Sequence, residues 1–80
     1  MGIFDQTKQT VTIEGRSEFG KKLFEVRIKS GQSQEEVGEK LGRSRTAVAN
    51  WELGNSLPDL PQFVAWCKLM KTTPNKILGF

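Results

Sequence analysis

Apolar residues recur at helical spacing along most of this chain, and glycines or prolines separate the stretches in which they do so. Spacings of three and four residues place such side chains on one face of an α-helix, which can then pack against the rest of the domain. The sets that define the helices are Phe19, Leu23 and Val26; Val37 and Leu41; Val48 and Trp51, with Ala47; Leu60, Phe63, Trp66, Cys67 and Met70; and Ile77, Leu78 and Phe80. The pattern therefore predicts five helices and an all-α domain.

Residues with capping chemistry mark the ends of these helices. Ser33 is followed three residues later by Glu36, which predicts a capping box at the start of the second helix. Prolines fall in the first turns of the last two helices, where a missing amide costs nothing. The predicted N-caps are Ser17, Ser33, Ser44, Asp59 and Thr73, and the predicted helix ends are Ser30 before Gly31, Gly42, Gly54 and about Met70.

The first fifteen residues follow a different pattern. Thr10 and Thr12 alternate with Val11 and Ile13, which is the period of a short strand, and the stretch ends on Gly15. A lone strand is unstable. We therefore expect residues 1–15 to form an amino-terminal arm, either mobile or loosely docked, or a strand that pairs in a dimer, ahead of one domain over residues 16–80.

The two short helices between Ser33 and Gly54 are joined by a tight turn, which predicts a helix-turn-helix. Gly38 costs roughly 1 kcal/mol in a helix against Ala, so its presence indicates that the next helix crosses closely there. On that next helix Val48 and Trp51 face inward. The side chains left facing outward, where they could contact bases, are Arg45, Thr46, Ala49 and Asn50.

A second apolar pair lies on a neighbouring face of the first helix. Phe24 and Ile28 stand where a solvated helix normally carries charged residues. They are either part of a wide core stripe or a docking place for the arm or a partner. We favour docking, because Arg27 between them should point back toward the helix-turn-helix.

Composition narrows the classes of function. Eighty residues make one domain, and the net charge of +3 with a pI near 9.3 favours an anionic partner. The acids Glu35, Glu36 and Glu39 gather on the first helix of the motif, while Arg43 and Arg45 open the second. A basic helix start of this kind favours phosphate.

Other classes are excluded by what the sequence lacks. One cysteine allows no internal disulfide, and the absence of histidine argues against a zinc site or a histidine-based catalytic site. We expect no enzyme activity, no cofactor, no metal and no small-molecule ligand, and we expect Cys67 to be a small buried apolar residue. No run is long and apolar enough for a membrane span, and the opening MGIFDQTKQT lacks signal-peptide features, so we expect a cytoplasmic protein.

Taken together, these residues resemble the lambda-repressor-like family of helix-turn-helix regulators, the Xre/Cro/CI type, over roughly residues 17–78. The resemblance rests on Arg27, on SQEEVGEKLG with its Gln34, on SRTAVANWE followed by Gly54, on Pro58 and on TPNKIL. It implies a compact five-helix bundle with the motif at helices 2 and 3. Members bind double-stranded DNA, usually as dimers on inverted repeats, and most repress transcription. Gln32 and Arg43 depart from the family pattern, where apolar residues are usual.

The residues and the resemblance together give a set of expected sites. The base-reading residues would be Arg45 on guanine, Asn50 on adenine, Thr46, and Ala49 on a thymine methyl group. The phosphate-binding residues would be Ser33, Gln34, Arg43, Ser44 and Asn55, and Arg27 and Glu52 would form a partly buried pair. The dimer interface would use Ile77, Leu78 and Phe80, with Val11 and Ile13 adding an edge; alternatively Ile77 and Leu78 close the monomer core. The alternative function is a protein-interaction module of the same fold, such as a coactivator or an antitoxin-like partner.

Overall fold

The structure is a computed structural model that describes the backbone of residues 13–79 and the side chains of residues 17–79. The helices are α1 (Ile13–Ser30), α2 (Gln34–Leu41), α3 (Arg45–Leu53), α4 (Leu60–Leu69) and α5 (Pro74–Leu78). No strand occurs among residues 13–79. The predicted all-α fold of five helices is confirmed.

The core is made by the apolar faces that the helical spacing predicted. Leu23, Val37, Val48 and Trp66 are completely enclosed, and Trp51 meets Trp66 edge to face with ring centroids 6.1 Å apart. Phe63, Cys67 and Ile77 complete the core, and Phe19, Val26, Leu41, Leu69 and Met70 pack at its edge. Every helix therefore contributes to one apolar centre.

The first helix is longer than predicted. It begins at Ile13, so Ser17 lies inside α1 and is not its N-cap, and α1 crosses the predicted boundary between residues 15 and 16. A four-residue alternation is a weak signal, and a single Gly15 costs a helix only about 1 kcal/mol. The rest of the predicted strand, residues 10–12, lies outside the described part of the chain.

The other helix ends follow the predicted chemistry. Ser33, Ser44, Asp59 and Thr73 each accept a hydrogen bond from the amide three residues later, at 3.0, 3.1, 2.9 and 3.3 Å respectively. Gly42 and Gly54 end α2 and α3 in the left-handed conformation, with φ of 71° and 82°. These caps fix the length of both helices of the motif.

A glycine lets the turn of the helix-turn-helix fold back on α2. A β-carbon on Gly38 would lie 2.7 Å from the carbonyl oxygen of Arg43, and the Arg43 amide donates to the Gly38 carbonyl at 2.7 Å. The close neighbour is therefore the turn backbone ahead of α3. The predicted close approach at Gly38 is present, but the turn makes it.

Two apolar residues, Leu60 and Ile77, lie elsewhere than predicted, and a third, Phe80, lies outside the described residues. Leu60 is 72% exposed, because it opens α4 one turn before the inward stripe begins, so its place in the core stripe was wrong. Ile77 is 2% exposed and belongs to the core, whereas Leu78 is 42% exposed. Phe80 lies outside the described residues. The assignment of Ile77 to a dimer surface is therefore corrected to the alternative, in which it closes the monomer core.

Candidate nucleic-acid interface

The outer face of α3 carries the four residues expected to read bases. Arg45 is the first residue of the helix, and it and Thr46 are exposed. Ala49 and Asn50 lie one turn further and are half-buried. Val48, on the opposite side, is completely buried. The core contact thus fixes how α3 is rotated and leaves one polar face outward.

An ion pair ties α1 to the last turn of α3. Arg27 Nε donates to Glu52 Oε2 at 2.6 Å and Arg27 Nη2 donates to Glu52 Oε1 at 3.2 Å, so the contact is bidentate. The two side chains are 8% and 4% exposed. Arg27 Nη1 also donates to the Gln32 carbonyl at 2.9 Å. A charge this buried is tolerable only when it is paired and hydrogen-bonded, and both conditions hold.

Gln34 connects this pair to Arg45 on the outer face of α3. Its Nε2 donates to Glu52 Oε1 at 2.9 Å, and its Oε1 accepts from Arg45 Nη1 at 3.3 Å. The side-chain amide of Gln34, which was expected to bind phosphate, is thus hydrogen-bonded to two other side chains of the protein. The guanidinium of Arg45 has five N–H donors, of which this contact uses one.

The start of α2 carries a complete capping box. The Ser33 amide donates to Glu36 Oε1 at 2.8 Å, and the Ser33 hydroxyl accepts from the Glu36 amide. The hydrogen bonds from the Ser33 amide and then the Ser33 hydroxyl lower the pKa of Glu36 below its ordinary value. Both Ser33 groups expected to hold phosphate thus serve the cap, and the donors at this end are the first-turn amides of Gln34 and Glu35.

The turn between the two helices carries an exposed arginine on an aromatic ring. The guanidinium carbon of Arg43 lies 5.7 Å from the centre of the Trp51 ring, within the range of a cation–π contact. Ser44 beside it uses its hydroxyl oxygen to cap α3. The contact with Trp51 holds the charge of Arg43 beside the start of α3.

The other end of α3 holds two asparagines in contact. Asn55 Nδ2 donates to Asn50 Oδ1 at 3.3 Å, and the Asn55 amide donates to the Asn50 carbonyl at 2.9 Å. Asn55, expected at a phosphate, therefore orients Asn50, expected at an adenine. This contact and the contacts of Gln34 could not be predicted from the sequence, because no periodic pattern relates residues that meet across a turn or between helices.

An apolar groove lies at the junction of α1, the loop after α3, and α4 and α5. Its volume is about 460 Å³, and it is lined by Phe19, Leu57, Pro58, Leu60, Phe63 and Leu78. Leu57, Leu60 and Leu78 are exposed. Leu78, which was expected at the dimer interface, is thus part of this larger apolar groove.

The described part of the chain offers neither a metal site nor a membrane-spanning helix. Between residues 13 and 79 no group of three or more His, Cys, Asp or Glu side chains is placed to hold a metal ion. None of the helices α1 to α5 is long and apolar enough to cross a membrane. Cys67 is buried, and its burial raises the pKa of the thiol.

Two capped helices that cross at a tight turn, the second with a polar outer face, define a helix-turn-helix domain. The known helix-turn-helix family matches residues 23–77, which is more than half of the chain. The chain belongs to this family, and the expected membership in the lambda-repressor-like helix-turn-helix regulators is confirmed.

A curated relative agrees with this assignment. The chain is 33% identical over 62 residues to the HTH-type transcriptional activator BcrR of Enterococcus faecalis. The alignment covers 78% of this chain and 30% of that protein, so the chain spans less than a third of its relative. Family and relative together support a DNA-binding transcription regulator.

Proposed function

We propose that this domain binds a specific double-stranded DNA sequence by placing α3 in the major groove. The observation that carries the proposal is the outer face of α3, with Arg45 at its first position and Asn50 steadied by Asn55. Arg45 pairs with a guanine and Asn50 with an adenine, while Thr46 and Ala49 contact neighbouring base edges, Ala49 on a thymine methyl. Each good bidentate pair contributes about 1–3 kcal/mol of discrimination.

Phosphate contacts position the domain on either side of the groove. The first-turn amides at Gln34 and Glu35 form an anion-binding helix start, and Arg43 supplies a charge at the turn. The further residues proposed to contact phosphate are Ser33 and Ser44, at the starts of α2 and α3, and Asn55, beyond the end of α3. These groups carry no sequence information and supply the salt-dependent part of the affinity.

Two copies acting together give the selectivity that one module lacks. One recognition helix touches few base pairs, whereas a two-fold pair reads both halves of an inverted repeat whose centres lie about 34 Å apart. The apolar groove with Leu60 and Leu78 is the surface we propose for the second copy. Leu78 is the residue of the expected dimer set that lines this groove, and Phe80 lies outside the described residues.

We propose repression as the direction of regulation, because the family resemblance implies it for most members. The relative BcrR, in contrast, is named as a transcriptional activator. A reporter gene placed behind the selected operator separates the two outcomes, since repression lowers its output and activation raises it.

The decisive experiment is selection of bound sites from a random duplex library with the wild-type chain and Arg45→Ala. We expect the wild type to return an inverted repeat, and we expect the variant to lose preference at one base pair of each half-site. If the wild type returns no common sequence, or if Arg45→Ala returns the same site, the base-reading assignment is wrong.

A second candidate function is protein interaction, and one observation favours it. Phe24 and Ile28 are 43% and 54% exposed on α1 and border a shallow pocket with Glu25 and Lys29. Under this alternative the domain does not bind duplex DNA. A gel-shift assay with random duplex at two salt concentrations distinguishes the two functions, because phosphate binding must weaken as salt rises.

A further inference from the structure

A cleft bordered by lysines lies between α1 and the last two helices. Its volume is about 540 Å³. The lysines around it are Lys22 and Lys29 on α1, Lys71 after the end of α4, and Lys76 on α5. Among the described residues that line it, Glu25 is the one acid. Cations from three parts of the chain thus surround one concave surface, which we call the lysine cleft.

The lysine cleft lies on the side of α1 that faces away from α3. Gly20 and Arg27 are α1 residues that contact α3, the first against the backbone of Glu52 and the second through its carboxylate. Lys22 and Lys29 each follow one of these residues by two positions, which is about 200° around a helix. A partner in the cleft therefore leaves the outer face of α3 open to DNA.

Lys71 adopts a backbone conformation that favours glycine. Its φ is 56°, and it is the one non-glycine residue with positive φ in the described part of the chain. The helices α1, α2, α3 and α5 are each followed by a glycine with positive φ, at positions 31, 42, 54 and 79. A side chain is strained in this conformation, and strain of this kind is concentrated at functional sites. The chain thus keeps a strained lysine at the border of the cleft, where a glycine would be relaxed.

The floor of the lysine cleft is apolar. Val26 and Met70 are half-buried there, and Ile77 lies at its base with 2% of its surface exposed. A phosphate group or a nucleic-acid backbone would satisfy the lysines and leave this floor in contact with water. A protein segment offers carboxylates for the charged rim and an apolar side chain for the floor, which is the usual arrangement of a polar rim around an apolar centre in protein interfaces.

From these observations we propose that the lysine cleft docks an acidic segment of a partner protein, with an apolar side chain of that segment on Val26 and Met70. Opposite charge steers such a segment toward the cleft and fixes its orientation. The proposal goes beyond DNA binding and does not depend on it, because the cleft and α3 lie on different sides of α1. A domain with both surfaces holds DNA and a partner protein at the same time.

The test measures binding of the whole chain to labelled peptides by fluorescence anisotropy. The probe is a peptide of Asp and Glu residues that contains two leucines, and the matched peptide has serine in place of both leucines. The wild type should bind the leucine peptide about threefold or more tightly than the serine peptide, because the floor covers apolar surface. In NMR spectra the methyl signals of Val26 and Met70 should shift when the leucine peptide is added, whereas those of Val48, on the core side of α3, should stay in place.

Substitutions at the rim test the role of the lysines. Lys71→Gly and Lys76→Gln should each weaken binding of the leucine peptide about two- to fivefold, which is what one exposed ion pair contributes. Lys71→Gly also relaxes the backbone, so urea unfolding should show no loss of stability. The matched control is Lys68→Gln, since Lys68 is exposed in the last turn of α4 and is not among the residues that line the cleft. This control variant should bind the peptide as the wild type does.

Several results would overturn the proposal. Absence of binding, equal affinity for the serine peptide, or equal weakening by Lys68→Gln would show that the cleft does not recognise an acidic segment with an apolar side chain. Displacement of the leucine peptide by tripolyphosphate or by duplex DNA at constant ionic strength would show that the peptide occupies a phosphate site instead. None of these measurements requires that α3 reads a DNA sequence, so the proposed function is tested separately.

Discussion

Gly20 on α1 lies directly against the backbone of Glu52 on α3. A β-carbon at Gly20 would be 2.4 Å from the Glu52 carbonyl oxygen and 2.5 Å from that of Trp51. No real side chain tolerates such distances, so the absence of a side chain is what lets the two helices approach. The same approach brings Arg27, two turns later on α1, within reach of the Glu52 carboxylate.

Gly20→Ala should therefore destabilise the domain, although alanine favours helices. The clash is with backbone, which cannot swing aside, and overpacking of this kind costs about 1–3 kcal/mol or more. Urea unfolding measures the change. Ser17→Ala, which adds the same residue to an exposed position of α1, is the control and should not destabilise. Equal stability of Gly20→Ala and wild type would show that α1 can move away from α3 at no cost.

Arg27 and Glu52 should show strong coupling in a double-mutant cycle. Removing one partner leaves a buried charge unpaired and should cost about 3–5 kcal/mol, whereas removing both should cost much less than the sum of the single changes. Arg27→Met, Glu52→Gln and the double variant are compared by urea unfolding. Additive losses would mean that the two charges do not stabilise each other.

Glu36 should make the stability of the domain depend on pH in the acid range. Its pKa is lowered in the folded state by the amide and the hydroxyl of Ser33. A lowered folded-state pKa means that the carboxylate stabilises fully above the ordinary glutamate pKa and that this stabilisation is lost as pH falls through the lowered value. The advantage of wild type over Glu36→Gln should accordingly shrink in acid. A difference in stability between wild type and Glu36→Gln that does not change with pH would contradict the assignment.

Local patterns in the sequence were enough to predict the helices of the fold and most of their N-caps. The caps at Ser33, Ser44, Asp59 and Thr73 depend on residues three positions apart, and helical faces depend on spacings of three and four, so both could be predicted. The start of α1 at Ile13 could not, because an alternation of only four residues is a weak signal and a helix can absorb one glycine.

The side-chain contacts within the site could not be predicted from such local patterns. Gln34 is 18 residues from Glu52 and 11 from Arg45, and only the crossing of the helices brings their side chains together. The family resemblance supplied the Arg27–Glu52 pair. Gly20 carried a readable signal, since a glycine in the middle of an apolar-periodic helix indicates a close approach, but only the structure identifies its neighbour.

Arg43→Ala should weaken DNA binding without changing sequence preference. The arginine is exposed and lies in the turn beside Trp51, whereas the residues proposed to read bases lie on α3. Losing one phosphate contact should reduce affinity for operator and random duplex by similar factors and should lower the slope of log affinity against log salt by about one unit. Lys68→Ala, an exposed charge on α4, is the control for net charge. An unchanged slope, or a loss of affinity confined to the operator, would show that Arg43 does not contact phosphate.

A charged substitution in the apolar groove should weaken binding to a whole operator and leave binding to half of an operator unchanged. Leu60 and Leu78 are exposed, so Leu60→Glu and Leu78→Glu should leave the monomer folded while placing a charge where the second copy packs. Each variant should bind half-site DNA as the wild type does, and its affinity for the full inverted repeat should fall toward the half-site value. Ile28→Glu on α1 makes the same kind of change away from the groove and should leave both affinities unchanged. Sedimentation of the wild-type complex should give two chains per full operator. A single chain there, or full affinity in both groove variants, would show that the groove is not where the two copies meet.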